Sequence, residues 1–248
     1  MRIDLNADLG EGCGSDEAIL GLVSSVNIAC GWHAGSAEEM LALVRAAHMR
    51  GVAIGAHPGY ADREHFGRRE LQLPLQVVRA GLLYQLGALE AMARAEGATL
   101  AHVKPHGALY NQAARNPDLA QCIARSVRDF NPRLKLMGLA GSPMIDAFRA
   151  EGLAVIEEGF ADRRYTPDGH LAARGTPGAL IDDTDTMLEQ VLSLVQSGTV
   201  TATDGSVCRV RVDTICLHGD GPHALGFARA IRARLRQAGI EVAACSGA

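Results

Sequence analysis

The chain has 248 residues, 48% of them hydrophobic, and a formal net charge of -4. No Lys/Arg cluster stands beside aromatics, which excludes the basic field that attracts nucleic acid, and no run approaches the ~20 apolar residues of a membrane span. Six cysteines without a C-x-x-C pair exclude a zinc ribbon and a thioredoxin-like redox site.

The elements follow in order. Ile3 to Leu5 and Val26 to Ala29 read as strands. Ser36 with Glu39 forms a capping box for a helix to Arg50, with Met40, Leu43, Val44 and Ala47 at helical spacing and Gly51 as its stop. VAIGAH is the next strand. A helix from Pro74 to Glu96, stopped by Gly97, leads into strand TLAHV. Asn116 and Pro117 open a helix before strand RLKLMGLA, and Ser142 and Pro143 open another before LAVIEE. A helix from Asp185 to Gln196 precedes TVTATDGSVCRVRV, where Asp204-Gly205 between alternating β-branched residues predicts an inserted hairpin. Strand DTICLH and a helix opened by Pro222 follow, and the terminal IEVAAC reads as an eighth strand or a short edge piece.

This alternation predicts parallel strands with right-handed crossovers, closed into a TIM-like (β/α) barrel of seven strands, or eight with IEVAAC, as one domain over 1–248. The alternative is an open doubly wound sheet, but DLNADLGEGCG satisfies neither phosphate-loop pattern. The opening MRIDLNADLGEG places Asp4 and Asp8 where a signal peptide needs apolar residues, so a soluble, cytoplasmic protein is expected.

Polar residues recur just after the strands, on the face where such barrels place active sites. Asn6, Asp8 and Glu11 follow the first; His33 and His57 end the next two units. Asp8 and Glu11 act at the mouth or cap a short helix near Ser15; His57 is a site residue or a packed one. Asp8, His33 and His57 form a set suited to a divalent ion, although spacing alone does not bring them together. Lys104, one of two lysines, shares a strand face with His102, and His106 lies in the loop beyond. A desolvated ammonium there stabilises developing negative charge, and as a catalytic group Lys104 is expected to be dispensable for folding. Glu158, Asp162, Arg163 and Tyr165 supply acids, a substrate-carboxylate clamp and a phenol, or else a solvated charged loop. In LHGDGPHA, His218 and Asp220 precede a helix whose amino end suits an anion; the plainer reading of Asp220 is a helix cap.

Six segments, DLNADLGE, NIACGWHAGS, IGAHPGYAD, HVKPHGALYN, EGFADRRYTPDGHLAARG and CLHGDGPHA, resemble the LamB/YcsF family from first strand to last helix. The resemblance implies a glycoside hydrolase/deacetylase-type barrel acting as the A component of ATP-dependent 5-oxoprolinase, which cleaves the lactam of 5-oxo-L-proline to L-glutamate with partner subunits B and C. The chain carries no nucleotide loop, so ATP is expected on those partners or at their interface. The other readings are a stand-alone metal-dependent amidase or deacetylase and a non-catalytic binding component.

Overall fold

The computed structural model describes residues 1–173, 175–217 and 224–245. Seven parallel strands close a barrel in the order β1 (Arg2–Leu9), β2 (Ser25–Ala29), β3 (Ala53–His57), β4 (Leu100–Val103), β5 (Lys135–Leu139), β6 (Val155–Phe160) and β9 (Thr214–Leu217), with β9 returning to β1. Between β6 and β9 lies the antiparallel hairpin of β7 (Thr199–Thr201) and β8 (Val207–Arg209), as Asp204-Gly205 predicts. The terminal β10 (Glu241–Val242) is the edge piece of the two readings: it pairs only with the start of β1 and is not a stave of the barrel.

Helices α1 (Asp16–Leu20), α2 (Ala37–Arg50), α3 (Leu75–Ala95), α4 (Gly107–Ala113), α5 (Pro117–Phe130), α6 (Pro143–Ala150), α7 (Thr184–Leu192) and α8 (Ala224–Gln237) carry the crossovers. Sequence signals set their ends. The Ser36 hydroxyl accepts from the Glu39 amide and the Asn116 side chain from those of Asp118 and Leu119, while Gly51 ends α2 in the left-handed region. Among the described residues no helix is long and apolar enough to cross a membrane.

Strand alternation divides the side chains. Leu5, Ala7 and Leu9 of β1, with Val26 and Ile28 of β2, are fully buried in the apolar core that also takes the inner faces of the helices. The opposite set faces the barrel axis and is polar, because Asn6 bonds Glu158 and Lys104 reaches Cys216 across non-adjacent strands. Barrel interiors of this kind are ordinarily filled with branched apolar side chains. Here every buried polar group needs a partner inside, which ties each strand to several others. At the amino-terminal end, Asp4 accepts from Ser24, Ser25 and Thr214 at 2.6, 2.7 and 2.6 Å.

The first strand is longer than the sequence predicts. β1 runs through Asn6 and Asp8, so these residues lie on the barrel wall rather than in the loop after it. β6 includes Glu158, as the reading of LAVIEE as a strand expects, and continues to Phe160.

Gly55 makes room for one interior group. A methyl at this position would lie 2.1 Å from His102 Nε2, with the other ring atoms close behind. Gly55→Ala therefore forces the imidazole off its partner. We expect a loss of about 1–3 kcal/mol, read by urea unfolding, from overpacking of a filled interior; an unchanged midpoint would mean that the ring moves aside freely.

Candidate active site

Lys104 sits immediately after β4, and its ammonium group points along the barrel axis. It donates to Asp8 Oδ1 at 2.9 Å and to Glu158 Oε1 at 2.8 Å, and it lies 3.2 Å from Cys216 Sγ. A longer contact of 3.4 Å reaches Asn6 Oδ1. Burial works against the charged lysine, but Asp8, Cys216 and Glu158 around it outweigh that and hold its pKa well above the usual value. Amides and a phenol arrange the two carboxylates. Asn27 donates to Asn6 Oδ1 and Asp8 Oδ1, both at 2.8 Å, and its own oxygen accepts from His102 Nε2 at 2.7 Å. Tyr110 donates its hydroxyl to Glu158 Oε2 at 2.8 Å, and Asn6 donates to Glu158 Oε1.

Above this network lies an imidazole cluster. His57 donates Nδ1–H to the Lys104 carbonyl at 2.7 Å, and His106 donates Nε2–H to the Phe66 carbonyl at 2.8 Å. These bonds turn His57 Nε2 and His106 Nδ1 toward each other, 3.0 Å apart. Glu11 Oε1 lies 3.2 Å from His106 Nδ1, 3.2 Å from His33 Nε2 and 3.8 Å from His57 Nε2. Burial acts to raise the Glu11 carboxyl, yet the His106 and His33 imidazoles beside it prevail and keep it well below the carboxylate range. Burial drives His33 down to about 3. His106 is also lowered, by burial first, whereas in His57 the Asp8 carboxylate overcomes burial and the net shift is upward.

Gly67, at φ +62°, lets the loop that carries Phe66 pass close to both His33 and His106: a Cβ there would lie 2.8 Å from His33 Cβ and 3.0 Å from His106 Cδ2. The donor set fits a metal ion. Four ligand atoms from Glu11, His33, His57 and His106 lie within 4.8 Å of one another, all buried or nearly so, and mixed imidazole and carboxylate donors suit divalent transition ions. Of the set expected from sequence, His33 and His57 are present; Glu11 and His106 complete the cluster, while Asp8 is bonded to Lys104.

A cavity of about 630 Å³ opens above both groups, lined at its floor by Asp8, Glu11, His57, Lys104 and His106. Tyr110, Phe160 and Arg163 form its wall, and Arg68, Arg115 and His170 stand toward the rim. Other expected substrate contacts lie elsewhere. Asn6 and Glu158 are fully buried beneath Lys104 and do not line the cavity. Tyr165 is also fully buried; its oxygen accepts from the Phe160 amide and so fixes the end of β6. Asp162 is half-buried outside the cavity lining, its carbonyl accepting from the Ile181 amide, and Arg163 donates to the Ala172 carbonyl. Asp220 and His218 lie outside the described residues. Asn27 and Tyr110 belong to motifs read from the sequence, but their roles went unseen, because an amide or a phenol gives no spacing signal of its own.

Burial of Lys104 reverses the expectation that it is dispensable for folding. Lys104→Met leaves two carboxylates inside the barrel without their cation, and such a loss costs about 3–5 kcal/mol. Adding Asp8→Asn and Glu158→Gln to the same chain should return much of that stability. Urea unfolding of the single and triple variants measures both effects.

His102 gives a second test. Burial lowers its pKa from 6.5 to about 3, so below pH 6.5 the unfolded chain takes up a proton that the folded chain refuses. Its contribution to stability is complete above pH 6.5 and falls as pH drops toward 3, by about 1.4 kcal/mol per unit. His102→Gln should flatten the stability curve between pH 6.5 and 5 by that slope; parallel curves for the two proteins would rule out a neutral buried imidazole.

Comparison with known proteins places this geometry. The LamB/YcsF family model matches residues 3–248. A lactam utilization protein from Thermus thermophilus is 47% identical, with a TM-score of 0.93 over 99% of this chain and 100% of that one. A family 4 carbohydrate esterase from Streptomyces lividans, solved with acetate, is 14% identical with a TM-score of 0.51 over 99% of this chain and 93% of the other. The polysaccharide deacetylase Bc1974 from Bacillus cereus gives 13% and 0.51 over the same shares. At such identities the likeness to the esterase and the deacetylase is one of fold. The match along nearly the whole sequence, together with the Thermus structure, shows that this chain belongs to the LamB/YcsF family.

Proposed function

We propose that the chain is a lactam hydrolase, the A component of an ATP-dependent 5-oxoprolinase that opens 5-oxo-L-proline to L-glutamate. The observation that carries this reading is the cavity floor, where the Asp8 carboxylate held by Lys104 stands beside Glu11, His57 and His106. The 47% identity to a lactam utilization protein supports the substrate class.

Opening a lactam requires an attacking water, a carbonyl able to accept negative charge and a proton for the departing nitrogen. Asp8 is arranged for the proton work. Its Oδ1 is occupied by Lys104 and Asn27, and its Oδ2 faces the cluster, 3.4 Å from His57 Nε2. In this reading Oδ2 takes the proton from water and returns it to the ring nitrogen as the C–N bond breaks. Lys104 keeps Asp8 ionised and orients it, and its charge lowers the energy of the developing oxyanion. A divalent ion held by Glu11 and the imidazoles beside it would supply Lewis-acid polarisation and a more acidic water. Phe160 and Arg163 line the cavity beside these groups.

Coupling to ATP belongs to the same proposal: transfer of the γ-phosphoryl group to the lactam oxygen releases ADP and activates the ring carbon toward water, C–N cleavage with protonation of the nitrogen leaves a γ-glutamyl phosphate, and a second water releases phosphate and L-glutamate; partner subunits B and C supply the nucleotide site. The test is 5-oxoproline-dependent ATP hydrolysis and glutamate formation by the chain alone and with candidate B and C subunits. Turnover is expected only in the assembly, and Asp8→Asn should lower its kcat by ~100-fold or more, the scale of losing a positioned acid–base group. Amide hydrolysis by the isolated chain with a divalent ion and no ATP would replace this reading with a stand-alone amidase, which the imidazole–carboxylate cluster also favours.

A further inference from the structure

We infer that the chain binds one first-row divalent transition ion through three ligands, Glu11 Oε1, His57 Nε2 and His106 Nδ1, and that His33 stays outside the coordination sphere and holds Glu11 in place. The inference concerns binding alone and does not depend on the lactam reading.

The three atoms converge without a natural partner among themselves. His57 and His106 each commit one N–H to a backbone carbonyl, so in the neutral rings the nitrogens that face inward carry lone pairs. Those lone pairs approach to 3.0 Å, with the Glu11 carboxylate 3.2 Å from one and 3.8 Å from the other. Three acceptors this close repel one another unless positive charge lies between them. A single proton serves one pair; an ion about 2.1 Å from each atom serves all three, and the observed separations are of the size expected for ligands on such an ion. Backbone carbonyls bonded to the far nitrogens are the usual means of fixing a ligating imidazole.

Ring geometry separates His33 from the others. Its imidazole stacks on His106 with centroids 3.7 Å apart and planes within 4°, whereas His57 and His106 are perpendicular. A ligating imidazole places the ion in its own plane. An ion in the plane of His106 is therefore displaced from the plane of His33 by roughly the ring spacing, well beyond the about 2.1 Å of a metal–nitrogen bond. The Nε2 of His33 is instead directed at Glu11 Oε1 at 3.2 Å. Three protein ligands leave coordination positions open toward the cavity, as in catalytic rather than structural sites.

The experiment titrates chelator-treated full-length chain with Zn²⁺ by calorimetry and with Co²⁺ by visible absorption, and counts bound metal by elemental analysis. One ion per chain is expected. His57→Gln, His106→Gln and Glu11→Gln should each weaken Zn²⁺ binding by more than ~100-fold. His33→Gln should keep one ion, weaken binding by ~10–100-fold as loss of an orienting partner does, and leave the Co²⁺ band positions unchanged. Circular dichroism checks folding; if a histidine variant fails to fold, the near-isosteric Glu11→Gln carries the comparison. The inference is overturned if the wild-type chain binds neither ion, if Glu11→Gln binds as well as wild type, or if His33→Gln abolishes binding or shifts the Co²⁺ bands. None of these readouts involves 5-oxoproline or ATP, so failure of the metal site and failure of the lactam reading are distinguishable.

Discussion

The buried ammonium of Lys104 between Asp8 and Glu158 is the interaction on which the rest of the site depends. Two carboxylates inside a barrel repel each other and lose their hydration, and one cation with short contacts to both offsets those costs. Once that triad is inside, apolar filling of the axis is no longer compatible with it. The remaining lone pairs and protons need partners, and Asn6, Asn27, Thr214 and Tyr110 provide them from four different segments. The result is a polar axis wrapped by an apolar wall. The axis fixes the direction of each carboxylate, and the wall gives the barrel its stability.

Function is divided between these layers. The strands hold Asp8, Glu158 and His102 at positions set by register, so their geometry is as rigid as the sheet. The loops after β1 and β2, the end of β3 and the start of α4 deliver Glu11, His33, His57 and His106, whose mutual placement depends on the close passage of the Phe66–Gly67 turn. Rigid strands therefore hold the charged group that needs the most compensation. Strand ends and loops supply the groups that meet the ligand.

Much of the architecture was legible because its signals are local. Ser36, Asn116, Gly51 and Asp204-Gly205 each act through a short stretch of backbone, and each marks the boundary or turn expected. The convergence of polar residues at one barrel mouth was legible for the same reason, since strand ends can be counted. Direction across the barrel was not. Nothing in the order of residues distinguishes Glu158 beneath Lys104 from Glu11 beside the imidazoles, because that distinction arises from strand tilt and from where β1 ends. Reading β1 as three residues long puts Asn6 and Asp8 in a loop, whereas alternation over its full eight residues turns both inward. Tyr165 illustrates the converse: a phenol inside a charged loop sequence reads as a substrate contact, yet it is a plug whose oxygen takes up a strand-end amide.

Closure of the barrel joins β1 to β9 in register, Asp4 opposite Thr214 and Asn6 opposite Cys216. One edge of the first strand thus waits for a partner encoded some two hundred residues later. At ribosomal speeds of about 5–20 residues per second that wait lasts on the order of 10–40 s, during which the nascent sheet has two open edges and the Asp4 and Asn6 side chains lack Thr214. The polar axis bears on this interval as well as on catalysis. An unfinished barrel lined with amides and carboxylates presents water with a hydrated groove where an apolar interior would present a sticky one, so the chemistry that serves the finished site also keeps its half-made precursor from associating with its neighbours.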